Sequence, residues 1–134
     1  MDWTIEFDKA IEQYLPDLEV LQDEPMSRHT TFRIGGPAKR MAFPSSREQL
    51  VLLMSFAKDY GANPLVIGNG SNLLVPDEGL DRLVIDTSAN LNRVERGSGN
   101  TVLADAGATL ARTADLACKS GLTGLEFAHG IPGT

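Results

Sequence analysis

The chain is short of cysteine, of cationic charge and of long apolar runs, and each shortage removes a class of explanation. A single cysteine, Cys118, in 134 residues allows no internal disulfide and no thiolate zinc site. It falls in a helix-like, partly apolar segment, which favours a buried filler over a reactive thiol. Twelve lysines and arginines face 18 aspartates and glutamates, a formal net charge of −6. Such a balance repels phosphate backbones and anionic lipid alike, so neither nucleic acid nor a membrane is an expected partner. The longest apolar stretch, about residues 50–57, is far too short to span a bilayer and reads as core. Met1-Asp2-Trp3-Thr4 lacks a basic region leading into an apolar run; no signal peptide is expected, and the expected location is cytoplasmic. The acidic cluster Asp17, Glu19, Asp23 and Glu24 lacks the glycine-punctuated pattern of a calcium loop, so no metal site is expected there or elsewhere.

What the chain does have is alternating helical and strand-like patterning. Hydrophobic residues make up 42% and charged residues 22%, which suits one folded domain or a piece of a larger one. Trp3, Phe7, Ile11 and Tyr14 or Leu15 recur at helical spacing, and Pro16 ends that helix. Residues 18–28 are mixed and charged and read as an approach segment of little regular structure. Gly35-Gly36-Pro37 forces a turn, residues 38–43 read as a strand, and Ser45 with Glu48 is spaced as a capping box for a helix stopped by Gly61. Pro64-Leu65-Val66-Ile67 is a second strand, so strand, helix and strand form a βαβ unit with parallel pairing. Residues 73–75 and 82–86 read as further strands. Residues 91–96 and 101–104 flank Gly97-Ser98-Gly99-Asn100 as a hairpin, and Thr109 caps a helix through Leu110, Ala114, Ala117 and Cys118 with Gly121 as its stop. The expected fold class is α+β (α/β): a small parallel unit with an N-terminal helix over residues 1–70, then the start of a strand-rich subdomain over residues 71–134.

The segment with chemical potential is Gly68-Asn69-Gly70-Ser71-Asn72. It follows an apolar strand, and open α/β sheets place ligands at the carboxyl ends of their strands. The glycines let backbone approach a ligand, Ser71 and Asn72 supply short polar groups, and successive N–H groups in such a turn form an anion site. A pyrophosphate can thus be held locally on an acidic protein. The nicotinamide fingerprint Gly-x-Gly-x-x-Gly would need glycine where Leu73 stands, and Leu73-Leu74-Val75-Pro76 opens no helix. The Gly-Lys-Ser/Thr of a Walker loop is missing too. By spacing alone, the segment reads equally as a phosphate loop or as a polar turn between strands.

Three motifs in order carry a resemblance. Residues His29-Thr30-Thr31-Phe32-Arg33-Ile34-Gly35-Gly36-Pro37-Ala38, Ile67-Gly68-Asn69-Gly70-Ser71-Asn72-Leu73-Leu74-Val75 and Gly130-Ile131-Pro132-Gly133-Thr134 resemble bacterial UDP-N-acetylenolpyruvoylglucosamine reductases, from about Arg28 to the last residue. The resemblance implies the FAD-binding fold of the vanillyl-alcohol-oxidase type. It implies FAD as cofactor, NADPH as reductant, and reduction of UDP-N-acetylglucosamine enolpyruvate to UDP-N-acetylmuramate for peptidoglycan. It places the FAD pyrophosphate on Gly68, Asn69, Gly70, Ser71 and Asn72, and the ribityl chain and flavin along Gly130, Ile131, Pro132 and Gly133. Arg33 and its neighbours to Gly36 would pack near the cofactor, as would the Ala106-Gly107-Ala108 turn.

In that family the glycine-rich chain continues past the position of Thr134, and the proton-donating serine, its arginine and glutamate partners and the substrate domain lie further on. The expectation is therefore an N-terminal portion with no catalytic residue in this chain and no activity alone. The alternatives are a noncatalytic fragment that no longer holds flavin, and another flavin oxidoreductase of the same wider fold. His29 and His129 are read as structural or cofactor-edge residues rather than as catalysts or sites of covalent flavin attachment.

Overall fold

The computed structural model describes residues 2–134. Apolar residues at helical spacing fold Thr4–Tyr14 into α1, and Leu15 rather than Tyr14 completes the buried stripe, being 8% exposed against 57%. The chain then forms β1 (Val20–Pro25), a 3-10 turn (Met26–Arg28), β2 (Pro37–Ala42), α2 (Arg47–Tyr60), β3 (Leu65–Ile67) and β4 (Leu80–Asp86). These strands make one sheet in the order β1-β2-β4-β3. β1 is antiparallel to β2, whereas β4 runs parallel to both β2 and β3. The expected βαβ unit is present as β2-α2-β3, but β4 lies between its two strands. The division at residue 70 is thus not a division of this sheet.

Three local expectations are corrected. Residues 18–28 contain β1, whose exposed Gln22 and Asp23 mask an edge strand. Residues 73–75 are not a strand: Val75 packs against the sheet while Leu74 is exposed, so the triplet lies in the connection between β3 and β4. The α2 cap is Ser46, whose Oγ accepts from the Gln49 N–H at 3.1 Å. The Gln49 side-chain oxygen accepts from the N–H of Ser45, the residue before the cap, at 2.8 Å, so the cap lies one residue later than expected and the return bond goes to the residue before it rather than to the cap itself. Gly61, at φ +73°, closes α2 as expected. Of residues 50–57, only Leu53 and Ala57 are fully buried, and Val51, Leu52 and Met54 face outward.

The period-2 alternation of β2 and β4 builds two cores. Ala42, Leu83 and Ile85 meet Trp3, Phe7, Ile11, Leu15, Leu53 and Ala57 beneath the two helices. Met41, Phe43 and Val84 meet Met26, Ile67 and Val75 on the opposite face, which irregular chain covers. On the helical side Arg40 grips both oxygens of Asp8 on α1 at 2.9 and 2.7 Å. That bond holds the guanidinium pKa above its ordinary value against desolvation.

Beyond β4 the expected hairpin is present, with β5 (Val94–Arg96) antiparallel to β6 (Val102–Ala104). α3 (Leu110–Lys119) starts at Thr109, whose hydroxyl accepts from the Arg112 N–H at 3.2 Å. Cys118 is exposed and is not the buried filler expected. The buried side chains of this part are mostly small: Ala108, Ala114, Ala117 and Ala128, with Leu91.

Candidate functional site

β3 and β4 end side by side, with Ile67 opposite Asp86. Thr87 locks that end: its N–H and its hydroxyl both donate to the Ile67 carbonyl, each at 3.0 Å. Residues 68–72 leave from there, at the carboxyl end of parallel strands. Gly70 is buried at φ +70°, and its carbonyl accepts from the Thr31 N–H at 3.1 Å. A Cβ on Gly70 would overlap the His29 carbonyl oxygen, so only glycine lets the loop lie on residues 29–31. Asn69 braces the turn by accepting from the Ser71 N–H at 3.2 Å. Among the described residues, the amides of Asn69, Gly70 and Asn72 donate to no protein acceptor. Free amides at successive positions of a turn are the donors from which an anion site is built.

The chain's last residues reach the other flank of the loop. A Cβ on Gly68 would overlap the Thr134 hydroxyl, and one on Gly133 would sit 3.1 Å from Ser71 Oγ. The Gly133 carbonyl accepts from the Leu110 N–H at 3.1 Å, which fixes this tail to the first turn of α3. All three sequence motifs therefore meet at one place. The loop stands between two clefts. One, of about 720 Å³, is lined by residues 27–31, Arg33, Gly68, Asn69, Asp86 and Ser88. The other, of about 340 Å³, is lined by residues 65–73 and 132–134.

The remaining candidates divide. Arg33 is exposed at φ +56° and lines the larger cleft. Pro132 and Gly133 line the smaller cleft, whereas Gly130 and Ile131 are exposed and line neither. The Ala106-Gly107-Ala108 turn packs behind β4, where a Cβ on Gly107 would overlap the Thr87 carbonyl, and it lines neither cleft. His29 has its Nε2 3.0 Å from Glu24 Oε1 and its ring tilted on Phe43 at 6.0 Å. His129 lines a separate hollow with Cys118, Leu122 and Leu125. Among the described residues there is no cluster of three or more potential metal ligands, and no helix is long and apolar enough to cross a membrane.

Asp86 belongs to this site although sequence patterning does not single it out. It is 5% exposed and lines the larger cleft. Its Oδ1 accepts from the Ser88 N–H and hydroxyl, both at 2.7 Å, and from the Ala89 N–H at 3.2 Å. The signal available for it is an acidic residue roughly 20 positions after the first loop glycine, at a strand end.

Comparison with known proteins follows the same lines. Residues 38–134 match the family described as FAD binding domain. The chain is 44% identical over 125 residues to the UDP-N-acetylenolpyruvoylglucosamine reductase of Caldicellulosiruptor bescii, an alignment covering 92% of this chain and 39% of that protein. It is 49% identical over 117 residues to the Moorella thermoacetica reductase of the same name, covering 87% and 38%. The crystal structure of UDP-N-acetylenolpyruvylglucosamine reductase from Thermus caldophilus superposes with a TM-score of 0.58 at 31% identity, over 87% of this chain and 38% of that one. The chain spans about two fifths of the length of the curated relatives it matches.

Proposed function

The chain belongs to the FAD binding domain family, and from that premise we propose that it is the cofactor-holding portion of an NADPH-dependent reductase of UDP-N-acetylglucosamine enolpyruvate. FAD is its cofactor. The product of the whole enzyme is UDP-N-acetylmuramate, a peptidoglycan precursor, in the cytoplasm. The observation that carries the reading is the loop at residues 68–72, whose free amides lie between two clefts. A dinucleotide needs that arrangement: an anion site in the middle and room for a nucleoside at either end.

The residues present fit the group. The protein is acidic overall, so a pyrophosphate needs local donors, and the amides of Asn69, Gly70 and Asn72 with the side chains of Ser71 and Asn72 supply them. Gly68 keeps the loop free of side-chain bulk, and Gly70 lets it rest on residues 29–31. Pro132 and Gly133, which line the smaller cleft, border the ribityl chain and flavin, with Gly130 and Ile131 leading into them from outside both clefts, and the segment is anchored through the Gly133 carbonyl. Arg33, at the mouth of the larger cleft, offers a cation toward the phosphates. Bound there, FAD would supply the hydride chemistry between NADPH and the enolpyruvyl group, and these residues would supply binding and orientation.

The test is titration of the purified chain with FAD, followed by flavin fluorescence. Saturable binding at one site per chain is expected; a chain that leaves the fluorescence of added FAD unchanged refutes the reading. NADPH oxidation in the presence of the enolpyruvyl substrate is expected to be nil for residues 1–134 alone, because no residue here is assigned as proton donor. Substrate-dependent oxidation by this chain would show that the proton donor lies within it.

A further inference from the structure

Asp86 offers more to the larger cleft than the turn it holds requires. Oδ1 alone receives all three of its protein hydrogen bonds, from Ser88 and Ala89. Among the described residues Oδ2 accepts from none, and since no buried side-chain oxygen among them lacks a partner, Oδ2 reaches the solvent of the larger cleft that Asp86 lines. A turn of this kind needs one acceptor oxygen, which asparagine or serine supplies without bringing a charge into the interior. A carboxylate oxygen that the protein leaves unpaired and open to a cleft is an acceptor available to a donor on a ligand seated there.

Position limits what that donor can be. Asp86 ends β4, the parallel neighbour of β3, and β3 runs into the glycine loop. Adjacent strands lie roughly 4.8 Å apart, so Asp86 stands about one strand spacing from the place proposed for the pyrophosphate. A carboxylate repels phosphate at that range, which leaves the neutral part of the ligand next to the phosphates. Pro132 and Gly133 line the smaller cleft, on the flavin side of the proposed site, so the larger cleft faces the other nucleoside. Ligands of dinucleotide folds present ribose hydroxyls to an acid at the end of the strand beside the phosphate loop. The topology here supplies that acid without the helix that normally follows such a loop.

We propose that Asp86 Oδ2 receives a hydroxyl of the adenosine ribose of bound FAD, and so selects for the dinucleotide over the mononucleotide. The inference rests on the FAD reading above. Asp86→Asn is the direct test, since its amide oxygen preserves the turn bonds to Ser88 and Ala89 while its NH₂ replaces the free acceptor. The variant is expected to keep its unliganded Tm, to bind FAD roughly tenfold or more weakly, and to bind FMN, which lacks the adenosine, as the unsubstituted chain does. Unchanged FAD affinity overturns the proposal, and so does equal weakening of FAD and FMN or a lowered unliganded Tm, which would make Asp86 a folding residue. Inosine 5′-diphosphate, which keeps the ribose but not the 6-amino group, is expected to displace FAD as well as ADP does; if it fails, the adenine amine is the donor and the ribose assignment falls. If the unsubstituted chain binds no FAD at all, the functional reading itself fails and takes this inference with it.

Discussion

Gly70 and Gly121 have nearly the same backbone, at φ +70° and +72°, but different surroundings. A side chain on Gly121 meets open space, whereas one on Gly70 overlaps the His29 carbonyl oxygen. Gly121→Ala therefore carries backbone strain alone, about 1 kcal/mol. Gly70→Ala adds a displacement of the loop from residues 29–31 and loss of the Thr31 N–H bond, for a total of roughly 2–4 kcal/mol. It is also expected to weaken FAD binding by moving the free amides. Urea denaturation of the two variants side by side decides the matter; equal stabilities would mean that the loop does not rest on residue 29. The glycines of residues 68–72 are legible in the sequence as a loop, but a string of residues does not say what each would touch. The same holds for Cys118, whose helical neighbourhood is legible and whose outward face is not. Asp86 is hidden for a related reason: as the last letter of an apolar strand, its role depends on which strand lies beside it.

At the scale of elements, the start of α1 is fixed by two carboxylates as well as by its apolar stripe: Asp81 of β4 ties it to the sheet, and Asp2 braces its own first turn. Trp3 Nε1 donates to Asp81 Oδ1 at 3.0 Å, and Asp2 accepts from the Thr4 N–H and hydroxyl. The Trp3 bond, with Lys39 nearby, holds the Asp81 pKa below its ordinary value of 3.8. The Thr4 bonds do the same for Asp2. Both groups are more acidic folded than unfolded, so their contribution is present above the unfolded value near 3.8 and is lost as pH falls through the lower folded values. Trp3 is the single tryptophan, which makes its fluorescence a local report on this joint. The signal is expected to hold steady down to that range and then to change with acid, and Asp81→Ala is expected to flatten the change. An identical acid profile in the variant would show that the bond to Trp3 is not what titrates. α1 itself is legible because burial of one face imposes its period on the sequence. β1 is not, because an edge strand pairs through its backbone while Gln22 and Asp23 face water. Residues 73–75 mislead in the opposite sense: three apolar letters suit a strand, but only Val75 of the three is buried and, among the described residues, no strand pairs with them.

Across the whole molecule, apolar burial is uneven. Both large clusters lie on the four-stranded sheet, where Phe7, Met26, Met41, Leu53 and Leu83 are fully covered. The hairpin and α3 bury mainly alanines, and Leu103 and Phe127 in this half are 58% and 71% exposed. Local opening free energy follows buried apolar contact, so the two halves are expected to differ in protection. Amides of β2 and β4, inside the sheet, are expected to exchange slowest with deuterium, and those of β5, β6 and α3 orders of magnitude faster. The proposed site joins the halves, because Gly133 ties α3 to the tail that flanks residues 68–72. A ligand that binds across this joint stabilises the weaker half by mass action, by roughly 2.7 kcal/mol at a hundredfold excess over Kd. Saturating FAD is accordingly expected to slow exchange in residues 68–72 and in α3 together, with little change in β2. Protection confined to residues 68–72 would mean that the tail is not part of the binding surface, and uniform protection before any ligand is added would show that the alanine-rich half is no weaker than the sheet.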